Sequence, residues 1–450
     1  MKRQIGEESG PIKRATTLLV LGLLVGLSWC RISLSQVTVT QEDVFAGKRP
    51  KLESLNQAVN SAQIGPLIIR TEPDQDPPAP DEMVGKSWGY LYEVHCKSKT
   101  YRYDYVGSVQ VAEKIETALI GQNIVREDGT MDLVISYYHP LDSLLWRRTL
   151  SNLSEGTAGG LCYLSPSGYV VDFNRYEGKI NFINSAGAVY RTHALYRPNV
   201  DLGPDEMNYG IHTGYSSQGN GTYGYFSNDG RIFVFVMGLQ GVPEFGSGTE
   251  IIAFSDSGEI RFKKKVDENS PSLTLVAPNG ERILVCVNSL GRGKYRNQIP
   301  GMTDAAGYLL SREGSVIKRI DVLCGQAAFS ETGQHLMIIT NRLKSALLLD
   351  ASNGQEIRRF TPDDKNILGL ALHENPQIVG LVFGRTPDIR DDQLDIKFFT
   401  FENREIGVCT LTIPDHRVLG GGGYLFQFNH DGTKFAFSAK DRIYYGNIGP

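Results

Sequence analysis

The chain has 450 residues, well past the roughly 250–300 at which one hydrophobic core stops growing, so several domains or a repeat architecture are required. Its 41% apolar and 10% aromatic content is ample for a packed core and excludes a wholly disordered chain. A formal net charge of −4 argues against general nucleic-acid binding, which calls for a basic surface.

The N-terminus reads as an export signal. Lys2, Arg3, Lys13 and Arg14 precede an uncharged apolar run, Ala15 to Trp29, shorter than the roughly 20 residues of a bilayer-spanning helix. Ser33 and Ser35, small residues one apart, place a peptidase cut after Ser35. Residues 1–35 are then a signal peptide, the mature chain begins near Gln36, and the protein is secreted or periplasmic. Two alternatives tie the chain to a membrane: an uncleaved anchor stretching toward Arg31, or a lipid on Cys30, against which bulky Trp29 argues. Removing residues 1–35 takes away five Lys/Arg and two Asp/Glu and leaves a net charge of −7.

Residues 36–83 have few aromatics and carry the proline-rich acidic run "EPDQDPPAP", Glu72 to Pro80, so they read as a partly disordered linker with one short helix in "KLESLNQAVNSA". Residues 84–450 are β in character. A first class of turn separates apolar runs at Asp128-Gly129, Ser167-Gly168, Asp229-Gly230, Asn279-Gly280, Thr332-Gly333, Asn375-Pro376 and Asp431-Gly432, spaced by about 50 residues. A second class interleaves with it at Ala186-Gly187, Ser257-Gly258, Glu313-Gly314, Asn353-Gly354 and Glu402-Asn403. Each unit therefore holds two hairpins, or four antiparallel strands, and such a unit repeated in series is the pattern of a β-propeller.

Seven blades fit best, with six or eight as the neighbouring counts. A pair of β-sandwiches would not repeat its paired hairpins at so even a period. The last unit, "GGYLFQF", "TKFAFSA" and "DRIYYGNI", stops one strand short, and the surplus strands "SWGYLYEVHC" and "TYRYDYVG" near the other end are expected to supply the missing one. The five cysteines after the cut, Cys96, Cys162, Cys286, Cys324 and Cys409, are far apart and mostly inside apolar runs, which predicts buried thiols rather than a disulfide framework.

"LLLDASNGQEIRRF", from Leu347, resembles the repeat of the quinoprotein-like and WD40-like β-propellers, in which an apolar strand, Asp, two residues and Gly lead into an outermost strand. The resemblance covers about residues 86–450 and implies the propeller fold. In the quinoprotein repeat a tryptophan after the glycine docks between blades; Ile260, Ile317 and Ile357 stand there in this chain, and the Trp-Asp dipeptide of WD40 repeats is absent.

Signs of chemistry are few. Only Trp88 and Trp146 remain after the cut, which disfavours a tryptophan-floored quinone site, and there is no GxSxG elbow, HExxH or Asp-rich calcium loop. No cofactor and no metal site is expected, and no catalytic residue is assigned. The long connections all fall between second and third strands or between blades, so they should gather at one end of the scaffold, where propellers bind. They carry Tyr209, His212 and Tyr215; Arg292, Lys294, Tyr295 and Arg296; and Arg385, Asp388, Arg390, Asp391 and Asp392. The expectation is an exported, non-enzymatic propeller that holds a protein or a glycan there. The alternative is a sugar hydrolase or lyase using Asp205, Glu206 or Asp391.

Overall fold

The computed structural model describes residues 38–43, 68–71, 87–88 and most of 90–448; residues 154–160, 196–223, 239–248, 289–304, 385–392, 413–425 and several shorter connections lie outside that description. All its extended elements are strands. They are β1 (Thr38–Asp43), β2 (Ile68–Thr71), β3 (Ser87–Trp88), β4 (Tyr90–Cys96), β5 (Lys99–Ala112), β6 (Thr117–Val125), β7 (Met131–Tyr138) and β8 (Leu144–Leu153). Next come β9 (Leu161–Leu164), β10 (Val170–Asn174), β11 (Lys179–Ile183), β12 (Val189–Ala194), β13 (Gly224–Phe226), β14 (Ile232–Gly238), β15 (Thr249–Ser255) and β16 (Ile260–Asp267). The series continues with β17 (Ser270–Val276), β18 (Arg282–Asn288), β19 (Ala306–Ser311), β20 (Val316–Ile320), β21 (Gln326–Phe329), β22 (His335–Thr340), β23 (Ser345–Asp350) and β24 (Glu356–Phe360). It ends with β25 (Asn366–His373), β26 (Ile378–Gly384), β27 (Gln393–Thr400), β28 (Glu405–Thr412), β29 (Phe426–Phe428), β30 (Lys434–Ala439) and β31 (Arg442–Asn447).

These strands form seven antiparallel sheets, the blades of a β-propeller. β9–β12, β13–β16, β17–β20, β21–β24 and β25–β28 are each a four-stranded meander in chain order. The seventh sheet runs β29-β30-β31-β1, and the first runs β2-β4-β5-β6-β7-β8 with β3 paired to β6.

Six apolar clusters fill six seams between consecutive blades. In β14 the alternation of the strand divides one apolar run between two of them. Phe233, Phe235 and Met237 pack with Phe173 and Phe182 of the second blade, whereas Ile232, Val234 and Val236 pack with Ile283 and Val285 of the fourth. This is why "RIFVFVM" is apolar without a break: both of its faces are covered. Fully burying one such side chain contributes roughly 1.5–3 kcal/mol relative to leaving it exposed. The seams are therefore the main source of stability.

The recurring hairpin is the outer half of a blade, as expected. In four of the five copies an amide bonds the carbonyl four residues on, as from Asn184 to Ala188 at 3.0 Å; in three of these a glycine with φ between +74° and +82° stands fourth, and in the other Asn403 takes its place at φ 67°. In the fifth, the Asp350 amide bonds the Gln355 carbonyl, five residues on, at 2.9 Å, and Gly354 stands fifth at φ 71°. A register shift follows in each, for example between Ala253 and Phe254, so four copies are a three-residue loop ending in a bulge at glycine or asparagine, and the Asp350 copy is one residue longer.

The structure corrects three expectations. The strand that completes the last blade is β1, paired with β31 from Thr38↔Asn447 to Asp43↔Arg442, and not a strand between Trp88 and Tyr105. Those residues belong instead to the first sheet. The segment 36–83 is thus not wholly a linker, since it also holds β2, which pairs with β4; the expected helix at 51–62 lies outside the described residues. Finally, the connection carrying Asp128-Gly129 joins β6 to β7, the second and third strands of its blade, so it leaves the opposite end from the other six turns.

Candidate binding face

The two ends of the scaffold differ in kind. At one end lie the tight turns joining first to second and third to fourth strands. The Ser227 to Gly230 turn shows the local cause: the Gly230 amide bonds the Ser227 carbonyl at 2.9 Å, and Asp229 accepts from the Ser227 hydroxyl at 2.6 Å and the Arg231 amide at 3.0 Å. In the equivalent turn of the last blade, the Thr433 hydroxyl and amide, with Asn429, hold Asp431 down to about 2.

Neighbouring turns are tied to one another around this end. The Tyr137 hydroxyl donates to the Gly168 carbonyl at 2.8 Å, and the Tyr169 hydroxyl to the Gly230 carbonyl at 2.9 Å. The Asn228 amide donates to Pro278 at 3.0 Å, and the Asn279 side-chain amide to Thr332 at 2.5 Å. Glu374 accepts from the Thr332 hydroxyl and lies 3.0 Å from His335 Nδ1. Burial opposes its ionisation, but bonds from Thr332 and Ser330, together with His335, outweigh that and hold the carboxyl below the usual range. His373, 1% exposed, sets Nε2 3.0 Å from the His430 carbonyl. Six links in succession put Ser167-Gly168, Asp229-Gly230, Asn279-Gly280, Thr332-Gly333, Asn375-Pro376 and Asp431-Gly432 on one common face.

The outer strands lock in the same sense. Trp146 stacks on Tyr137 with centroids 5.0 Å apart and donates from Nε1 to the Ser185 carbonyl at 3.1 Å. A Cβ on Gly187 would stand 2.8 Å from the Trp146 ring, and one on Gly314 2.6 Å from Phe262. Arg191 covers Gly258 and Lys318 covers Gly354 in the same way. The residue four after a turn glycine therefore docks on the next blade's turn. The position expected from the quinoprotein repeat is otherwise occupied: Ile260 and Ile357 are 44% and 39% exposed, and only Ile317 packs against a seam.

Several cations on these outer strands are paired locally, as Arg191 with Glu259 at 3.4 Å and Lys263 with Glu250 at 3.2 Å. Exposed pairs of this sort contribute about 0–1 kcal/mol each and read as a solvated surface. Among the described residues no three His, Cys, Asp or Glu side chains are placed to hold a metal, and no helix is long and apolar enough to cross a membrane.

At the other end every long connection departs. The strand ends Ala194 and Gly224 carry 196–223, Gly238 and Thr249 carry 239–248, Asn288 and Ala306 carry 289–304, and Gly384 and Gln393 carry 385–392. The expected site residues Tyr209, His212, Tyr215, Arg292, Lys294, Tyr295, Arg296, Arg385 and Asp391 sit on these connections. They lie outside the described residues, as do Asp205, Glu206, Asp388, Arg390 and Asp392. Two connections that the expected site leaves out, 154–160 and the glycine-rich 413–425, leave from the same end.

No known protein-family description matches the chain, and no curated protein matches it in sequence. Solved structures resemble it in shape. The C-terminal WD40 domain of Sif2 does so at 9% identity over 80% of this chain and 90% of that one, with a TM-score of 0.44. The Dos1 propeller does so at 12% over 77% and 80%, with 0.45. The β-propeller domain of Myceliophteria thermophila Cps50 (Swd1) does so at 11% over 78% and 98%, with 0.38. The protein is a β-propeller, and it is the blades themselves that establish this.

Proposed function

We propose that this propeller is an exported, non-enzymatic binding scaffold whose partner docks on the end from which the long connections leave. One observation carries the reading: the turns at one end are short and bonded to each other, while the long connections leave from the other. Tyr209, His212 and Tyr215, the cations Arg292, Lys294 and Arg296 with Tyr295, and Arg385 with Asp391 would supply aromatic and charged contacts to a protein, the occupant favoured here over a glycan. Export rests on the N-terminal pattern, and N-terminal sequencing of the product should read from near Gln36.

The test screens the protein on protein and glycan arrays beside a variant with Arg292, Lys294, Tyr295 and Arg296 all changed to Ala. A protein ligand weakened at least about tenfold, some 1.4 kcal/mol, supports the reading. A ligand indifferent to that variant but lost on changing Glu281 and Arg312, an ion pair of the tight-turn end at 3.0 Å, overturns it.

A further inference from the structure

Four buried free thiols occur among the described residues, and two of them come together. Cys286 is in β18 of the fourth blade, and Cys324 follows β20 on the way into the fifth. Gly307 of β19 lies directly opposite Cys286 in the ladder. A Cβ on Gly307 would stand 3.3 Å from the Cys324 sulfur and 3.6 Å from the Cys286 sulfur, so both sulfurs converge on the space that this residue leaves by having no side chain. Burial, with the Cys324 side chain beside it, pushes the Cys286 thiol up. The two cysteines share one seam with Leu284, Leu309, Ala327 and Ile338, where Cys286 is 0% and Cys324 5% exposed.

We propose that Cys286 and Cys324 are a disulfide-forming pair that staples the fourth blade to the fifth when the chain folds in an oxidising environment. The oxidant is a small-molecule or protein disulfide. One cysteine thiolate attacks it, making a mixed disulfide and releasing one thiolate; the second cysteine displaces the other, closing the Cys286–Cys324 bond. Two protein thiols are oxidised, the reagent disulfide is reduced to two thiols, and the two protons pass to them. The exchange belongs to folding, before the seam shuts, because burial in the closed seam raises the Cys286 thiol and disfavours its thiolate. The closed loop would contain the whole 289–304 connection and pin both ends of the segment that bears it. This inference does not rest on the binding proposal.

The test refolds the full chain in a mixture of reduced and oxidised glutathione, alkylates it in denaturant without reduction, and maps its peptides by mass. The Cys286 and Cys324 peptides should be joined, lighter by the two hydrogens lost, with Cys162 and Cys409 alkylated. Melting temperature should be higher than in the reduced protein by about 4 °C or more, and that gap should vanish in Cys324→Ser. Finding both thiols alkylated, finding either bonded to another cysteine, or finding the bond without any change in melting temperature overturns the proposal.

Discussion

The fourth blade and the seventh reach the same four-stranded sheet by opposite routes. β17 to β20 are one continuous stretch in which each strand meets its neighbour through a connection in the same unit, and the outer strand is set by the glycine-bulge hairpin at Ser311 to Ser315. The seventh blade gets its outer strand from residues 38–43, and a whole propeller's length of chain separates β1 from its partner β31. A local hairpin forms from what a few adjacent residues prefer. The composite blade exists only once the other six have brought the two ends together, and its outer strand is the part most open to loss.

The largest expected effect tests that difference directly. A chain beginning at residue 44 should be less stable than one beginning at residue 36 by about 3–5 kcal/mol, because six ladder pairs are lost and the edge of β31 is bared. Chemical denaturation of the two would measure it, and equal midpoints would show that β1 does not close the blade. Next in size is the buried ion pair between the first two blades. Asp172, 0% exposed, meets Arg148 at 3.1 Å and Asn181 at 2.6 Å, so Asp172→Ala should cost about 3 kcal/mol by leaving a half-buried guanidinium without its partner.

A continuous blade can be strained at its own turn. Gly314 has φ +81° and carries Phe262 of the preceding blade against it, so Gly314→Ala should cost about 2 kcal/mol from backbone and contact together. Combining it with Phe262→Ala should cost less than the sum, a shortfall that a double-mutant cycle of denaturation midpoints would read. The smallest effect is that of pH. The Glu374 carboxyl is depressed in the folded chain, so its contribution is present above the ordinary carboxylate range and is lost as pH falls through the folded value. Glu374→Gln should therefore lower stability modestly at pH 7, where the contribution is fully present, and flatten the acid limb, so that the two proteins converge as pH falls through the folded value.

Much of the blade was legible in the residues. "IIAFSDSGEIRF" announces its hairpin because only a glycine, or an asparagine such as Asn403, sits easily at the positive φ that a bulged three-residue loop needs. "RIFVFVM" announces a strand covered on both sides because polar residues are missing from both of its faces. The docking residue was less visible. Its place, four after the turn glycine, is taken by Arg191, Phe262 and Lys318, which share a Cβ and Cγ to lay over a glycine but no common chemistry.

By itself, then, the chain's order of residues determined the paired hairpins of the regular blades and the end from which their long connections leave, since each depends on interactions within a few positions. Only the tertiary structure decided that Thr38–Asp43 rather than Trp88–Tyr105 completes the last blade, that Glu374 reaches back to Thr332 and His335, and that the Cys286 and Cys324 sulfurs share the space over Gly307. "TVTQED" has the alternation of any short strand, and "RILVCVN" that of any buried one. Neither holds a local signal of its partner, because pairing across the ring follows from the summed twist and packing of all the blades between.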